Sequence, residues 1–324
     1  MAPTFAEATA VTPSGTHTYT ANFHSEWCIG SVPHGGVVAA TFLNVAAAHF
    51  GTTLAAQNQP HTISLHTEFV RRTSAGIAHF AVHDVKLGRG TSTIHVVLTQ
   101  DGRDEVVAYM TNANMTIENG LTLLTGWSTE PLPPPRPVDF ARLARDGVDE
   151  HWKLLTELPH PDKRKAVNKV RMYAPRDGHV LPNIVDEWIC FASGERFRDS
   201  AVAFVSDMWP QLLEGLVKRQ TEIMDPKASA AEKSEKQNMD LSWYWYPTLT
   251  LSLDVKKPLP AEGVQWLHVR ALSKQVRNGR FDYEIVIYDE NEEIVALSHH
   301  IAMVLDGARN LAAKRKGKKA ASKI

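Results

Sequence analysis

The chain has 324 residues, 43% of them hydrophobic and 22% charged, with a formal net charge of −1. That supplies a large apolar core and a length of about two domains, or two repeats of one, while the near-neutral balance gives no global field toward nucleic acid or an acidic membrane. No apolar run approaches the ~20 residues of a membrane span, the start MAPTFAEATAVTPSG lacks the features of a secretory signal, and Cys28 and Cys190 define neither a disulfide framework nor a zinc spacing. An intracellular, reducing compartment is the expected setting.

Residues 34–50, HGGVVAATFLNVAAAHF, are alanine-rich and apolar without proline, opened by Gly35-Gly36 and closed by Gly51. They predict one mostly buried helix. Strand-like runs with period-two alternation follow at 62–72, 77–87, 92–100 and 104–116. Gly76, Gly88-Arg89-Gly90 and Asp101-Gly102 separate them, and the last two read as a hairpin. The run PLPPPRP at 131–137 cannot join a central sheet and reads as a stiff linker. A polar helical segment over 139–157 and a charged, proline-containing surface stretch over 158–182 come next. Then follow a strand-like run at 184–192, a helix over 206–218 with Pro210 in its first turn, and a lysine- and glutamate-rich insertion at 222–240. Strand-like runs at 246–257, 264–275, 280–289 and 292–304 complete the series.

The second series repeats the first. At an offset of 188 residues, with no gap across the last two strands, Lys86 meets Lys274, Val97 meets Ile285, Asp101 meets Asp289 and Glu105 meets Glu293. Self-similarity at a long fixed offset points to internal duplication. One helix followed by an antiparallel meander, present twice, is the order of a double hotdog. The expected class is thus α+β, with two tandem repeats, each a long helix wrapped by an antiparallel sheet. The expected units are an N-terminal repeat over 1–118, a proline-containing linker and surface segment over 119–183, a C-terminal repeat over 184–306 and a basic flexible tail over 307–324.

With these pieces in order, the chain resembles the acyl-CoA thioesterase II family, including its fungal thioesterase-like branch. The matching pieces are HGGVVAA at 34–40, AFVSDMWP at 203–210, PTLTLSLDVKKPL at 247–259 and IVALSHHIAM at 294–303. The resemblance implies a thioester site where the two repeats meet, with a catalytic Asp, Thr and Gln. The Asp falls on Asp207, the Thr on Thr248, and the Gln position on His300, which is a departure from the family pattern. Thioester hydrolysis needs a positioned water, a group to take its proton and donors for the oxyanion. On this reading Asp207, at a helix start, activates water, Thr248 shares it, and His300 holds the water or the thioester.

Each residue also has a plainer reading. Ser206 and Asp207 stand where helix N-caps stand, and Thr248 is an ordinary strand residue. His34, Gly35 and Gly36 are candidates to line the substrate site, although the glycines can equally serve close backbone approach. Trp243 and Trp245, alternate members of Trp243-Tyr244-Trp245-Tyr246, are candidates for an acyl pocket or for packing. Arg71, Arg72, Lys256 and Lys257 are candidates for CoA phosphates, or solvated strand ends. His299 and His300, neighbours on a strand, point to opposite faces and do not share a metal. No metal or redox cofactor is expected, and no G-x-S-x-G elbow, P-loop or dinucleotide fingerprint is present.

The favoured activity is hydrolysis of an acyl-CoA or a related acyl or polyketide thioester, CoA- or carrier-linked, by a homodimer without nucleic-acid partner or membrane span. Acyl transfer, isomerisation, cyclisation or dehydration on the same fold stays open, as does non-catalytic acyl binding. The tail carries KRKGKK at 314–319 and Ser322-Lys323-Ile324 at its end. It reads as a solvated, disordered segment, and its last residues resemble the S-K-L peroxisomal address with Ile for Leu. A peroxisomal location is expected, with the cytoplasm as the alternative. A fluorescent reporter carrying the last dozen residues is expected to enter peroxisomes and to stay cytosolic once Ser322-Lys323-Ile324 is deleted.

Overall fold

The computed structural model describes residues 2–117, 120–133, 137–156, 160–224 and 244–312, without the side chains of 218–224. Trp243, the insertion beyond 224 and the end of the tail, including Ser322-Lys323-Ile324, lie outside the described residues.

The first half supplies strands β1 (Val11–Pro13), β2 (Thr18–Phe23), β3 (His61–Glu68), β4 (Gly76–Lys86), β5 (Thr91–Gln100) and β6 (Arg103–Ala113). The second supplies β7 (Trp152–Leu154), β8 (Val170–Pro175), β9 (Ile184–Phe191), β10 (Thr248–Val255), β11 (Leu267–Leu272), β12 (Arg280–Tyr288) and β13 (Ile294–Met303). They form one sheet in the order β1-β2-β4-β5-β6-β3-β10-β13-β12-β11-β9-β8-β7. Every pairing is antiparallel, and β3 joins β10 at the middle through Leu65 opposite Leu253. The order reads alike from both ends: the strand preceding each helical segment lies outside, and the one following it lies at the centre.

Alternation sets the inner face. Ile94, Val96 and Leu98 of β5 and Tyr283, Ile285 and Ile287 of β12 are buried on it. Helix α1 (Gly35–Gly51) crosses that face and is buried nearly all round, as a helix apolar on every side must be. The outer face of the second half is covered as well. Trp152, Tyr173, Trp188 and Trp266 pack together there, beside an Asp186–Arg270 ion pair with two bonds of 2.8 Å. All eight positions of β9 are therefore buried, which is why its sequence runs apolar without alternating.

The helices meet almost backbone to backbone. A methyl group on Gly36 would lie 2.8 Å from Cα and carbonyl oxygen of Phe204 and 2.9 Å from the Ala203 carbonyl oxygen. Phe204 belongs to α2 (Ala201–Ser206), a helix that stops at Asp207 and is followed by α3 (Pro210–Met224). This corrects the expectation of one helix over 206–218 starting at Asp207. The aspartate follows α2 as its C-terminal cap residue, and Pro210 opens the next helix, where its missing N–H costs nothing.

Other expectations also shift. Among the described residues, the segment 139–157 holds a helix at Phe140–Asp146 and then turns into β7, and 158–182 contributes β8 with Met172 and Tyr173 buried. Aromatic side chains on short strands carry these pieces inward despite the surrounding charge. The beginning of the tail is docked: Asn310 is buried, accepts from the Ser31 amide at 2.9 Å and donates to the Ile29 carbonyl at 2.9 Å.

The register between halves differs from the 188-residue match as well. That match places Val97, which points away from the core, on buried Ile285. The bulges, at Ile63 in β3 and Leu249 in β10, correspond at an offset of 186. The consecutive buried pairs Glu105-Val106 and Val295-Ala296 correspond at 190. The connecting turns differ in length, Asp101-Gly102 against 289–293, so a gapless slide cannot hold.

Gly36→Ala is expected to cost about 1–3 kcal/mol in urea denaturation, because the opposing atoms are backbone and cannot yield. Gly51→Ala, which meets nothing within 4 Å, is expected to fold with undiminished stability.

Candidate active site

A cavity of about 330 Å³ opens where the N-terminus of α1, the break between α2 and α3 and the start of β10 come together. His34, Gly35 and Phe69 line it from the first half, and Asp207, Trp245 and Thr248 from the second.

Gly35 and Asp207 fit each other. A methyl group on Gly35 would lie 2.5 Å from Asp207 Oδ2, so the absent side chain is the space the carboxylate fills. Thr248 Oγ1 donates to Asp207 Oδ1 at 2.7 Å. Thr248 flanks the β10 bulge at Leu249, which re-aims the strand at this point. His300 Nδ1 lies 3.4 Å from the same oxygen, at ion-pair distance but out of line for a good hydrogen bond. Burial pushes the Asp207 carboxyl up, and His300, His34 and Thr248 together outweigh that and hold it below its ordinary value.

The protons around His300 follow from its neighbours. Ser298 Oγ donates its one hydrogen to the Ser252 carbonyl at 2.8 Å, so at 2.7 Å from His300 Nε2 it can only accept. Nε2 therefore carries a proton, and Nδ1 is the atom turned to Asp207. His300 is fully buried and does not line the cavity. The expectation was that it holds water or thioester; here it stands behind Asp207, away from the cavity. His299, on the opposite face, is exposed, as strand alternation requires.

His34 caps α1, its Nδ1 accepting from the Gly36 amide at 3.1 Å. Burial pushes its imidazole down, against the opposing pull of Asp207. Gly36 faces the Phe204 backbone and does not line the cavity, so the structural reading holds for it. Gly35 does line the cavity, and its amide has no acceptor among the described residues. A free amide at the start of a 17-residue helix is suited to polarising a carbonyl.

The aromatic run enters through Tyr244, Trp245 and Tyr246 together rather than alternately. Tyr246 OH donates to Glu214 at 3.4 Å, and Glu214 is gripped by buried Arg164. Arg71 and Arg72 border the cavity. Arg72 also donates to the carbonyls of Arg309, Asn310 and Ala312, holding the last short helix in place. Lys256 and Lys257 do not reach the cavity; Lys256 pairs with Asp254, and Lys257 with Asp289 and Glu293. Sequence reading missed Tyr283, whose hydroxyl donates to the Trp209 carbonyl at 2.8 Å, and Arg164, hidden in a segment read as surface. No motif marks either one.

Two family descriptions match this chain: the acyl-CoA thioesterase N-terminal domain over residues 23–113 and the acyl-CoA thioesterase C-terminal domain over 139–304. The thioesterase-like protein TwmA of Talaromyces wortmannii is 34% identical over 339 residues, covering 98% of this chain and 96% of that one. A candidate thioesterase II from Thermobifida fusca YX superposes with a TM-score of 0.68 at 18% identity, over 93% of this chain and 97% of its own. A hotdog-fold protein from Alicyclobacillus acidocaldarius gives 0.65 at 17% identity, over 94% and 99%. At these identities the superpositions show the fold, a hotdog fold.

The lowered Asp207 carboxyl has a sign. An acid whose folded pKa lies below its unfolded one contributes stability above about pH 4, lost as the pH falls through the folded value. Relative to Asp207→Asn, the wild type is expected to lose stability as the pH falls below about 4 in chemical denaturation. A difference that stays flat over that range would show that Asp207 gains nothing from its partners.

Proposed function

Because this chain belongs to the acyl-CoA thioesterase family, we propose that it hydrolyses an acyl-CoA or a related acyl or polyketide thioester in the cavity between its two halves. The observation that carries the reading is the Thr248–Asp207 hydrogen bond placed beside the free Gly35 amide.

The chemistry proceeds from that placement. Asp207 and the Thr248 hydroxyl hold a water against the thioester carbonyl carbon. As its oxygen adds, one water proton passes to Asp207, and the charge gathering on the carbonyl oxygen meets the Gly35 amide. The C–S bond then breaks, and the departing thiolate takes the proton back. With its carboxyl held low, Asp207 is a weak base, so its main contribution is orientation and stabilisation of positive charge on the attacking water. A thiolate is a good leaving group and asks little more. Arg71, Arg72 and Arg309 at the cavity suit the phosphates of CoA or of a carrier-bound pantetheine. Trp245, Tyr244 and Phe69 offer an apolar wall to the acyl chain.

Two tandem hotdog repeats belong to the same proposal. The strand order alike from both ends and the paired bulges support it, with β7 and β8 assigned to the C-terminal repeat rather than to a linker. Assembly as a homodimer is the proposed oligomeric state, to be read by sedimentation.

A panel of acyl-CoA substrates assayed for thiol release tests the reading. Release by the wild type, falling by about 10²-fold or more in Asp207→Asn, is expected. Equal release by both enzymes would reject the mechanism, and tight acyl-CoA binding without release would identify an acyl-binding protein. His300→Ala is expected to lower kcat and shift its pH profile while sparing KM, since the ring does not touch the cavity. His300→Gln, able to donate toward Asp207, is expected to retain activity.

A further inference from the structure

We infer that His17, His49 and Asp84 form a binding site for a divalent transition-metal cation of the zinc class, separate from the thioester cavity. The three lie on a loop, the last turn of α1 and strand β4, and none lines that cavity. His49 Nε2 is 2.9 Å from Asp84 Oδ1, and His17 Nε2 is 3.1 Å from Asp84 Oδ2. All three ligand atoms lie within 4.8 Å of one another, and among the described residues this is the group of three that could hold an ion.

The arrangement suits a cation in four respects. Imidazole nitrogen with one carboxylate is a borderline donor set that favours zinc, cobalt, nickel and copper over calcium or magnesium. Metal–ligand distances of about 2.0–2.1 Å in a tetrahedron put neighbouring donors roughly 3.3 Å apart; the two nitrogen–oxygen spacings are within a few tenths of an ångström of that, and the widest pair, within 4.8 Å, closes on the ion. Each ring is also held from behind by a hydroxyl: Tyr19 OH lies 3.1 Å from His49 Nδ1, and Thr16 Oγ1 3.1 Å from His17 Nδ1. A hydroxyl can accept Nδ1–H, which leaves both Nε2 lone pairs free for the metal. Among the described residues no lysine or arginine pairs with Asp84, whose oxygens face imidazoles alone. The cluster is anchored and open at once, with the His49 side chain fully buried and that of His17 42% exposed. That leaves a path of entry and a fourth position for water.

Binding replaces the two Nε2–H···O bonds with three metal–ligand bonds. Nε2 of each histidine gives up its proton and Nδ1 takes one, so both rings stay neutral and the carboxylate stays ionised. The ion ties the start of β2, the end of α1 and β4 together.

Titration of the full chain with Co²⁺ and Zn²⁺ tests the site. One saturable equivalent, visible absorption of Co²⁺ bound by nitrogen and oxygen, and a raised melting temperature with Zn²⁺ are expected. His17→Ala, checked for unchanged metal-free melting, is expected to weaken binding at least tenfold, and Asp84→Asn to abolish it. His83→Ala, which removes a ring opposite His95 on the neighbouring strand, is expected to leave affinity unchanged. No saturable binding by the wild type, or equal binding by His17→Ala and Asp84→Asn, would overturn the assignment and leave the cluster a hydrogen-bonded clasp.

Discussion

The near-contact of two helix backbones at Gly36 is the constraint from which the site follows. With no side chain there, α1 and the Phe204 turn of α2 approach as closely as backbone allows. The chain leaving α2 therefore arrives directly over the N-terminus of α1. At that point α2 ends, and Asp207 drops its carboxylate into the space beside Gly35. Two adjacent glycines thus do different work: one sets the distance between helices, and the other makes room for a charge.

A carboxylate in so closed a place is costly unless its surroundings compensate for lost water. Here they do so in layers. Thr248 supplies a hydrogen bond from the centre of the sheet, and the rings of His34 and His300 flank the carboxylate on either side. Behind them the Ser252 carbonyl fixes the Ser298 hydroxyl, which fixes the protonated nitrogen of His300. Each group is oriented by the next, so the one exposed edge of the assembly, facing the cavity, is rigid before substrate arrives. Such preorganisation is what a water-activating site requires.

The two halves share a strand plan and differ around Asp207. Helix α1 runs unbroken for 17 residues, whereas its counterpart in the second half breaks at Asp207. On the proposed duplication, the bulge offset sets Thr62 against Thr248, and the β6–β13 offset sets Met110 against His300. A methionine offers neither a charge nor a strong donor. On that proposal the strand plan is written twice and the polar cluster around Asp207 once.

Much of this was legible in the sequence for a simple reason. Period-two alternation along β5, β6, β12 and β13 reports which face is wet, and alanine-rich residues 34–50 report a helix with no wet face. The pieces HGG, SDM and PTLTL carry His34, Asp207 and Thr248, which come together around one cavity. The rest depended on contacts between residues far apart in the chain. On the proposed duplication, the gapless 188-residue match fails because a two-residue turn and a longer one conceal the shift, and residue identity does not record facing. β7 and β8 were missed because their burial comes from Trp188 and Trp266, outside any local window. The place of His300 behind Asp207, and the meeting of His17, His49 and Asp84, likewise had no local signature. Sequence by itself determined the elements, their order and their apolar faces, since these are set by short-range period. Only the tertiary structure decided which charges meet and which of them see the cavity, because burial and proximity are properties of the packed whole.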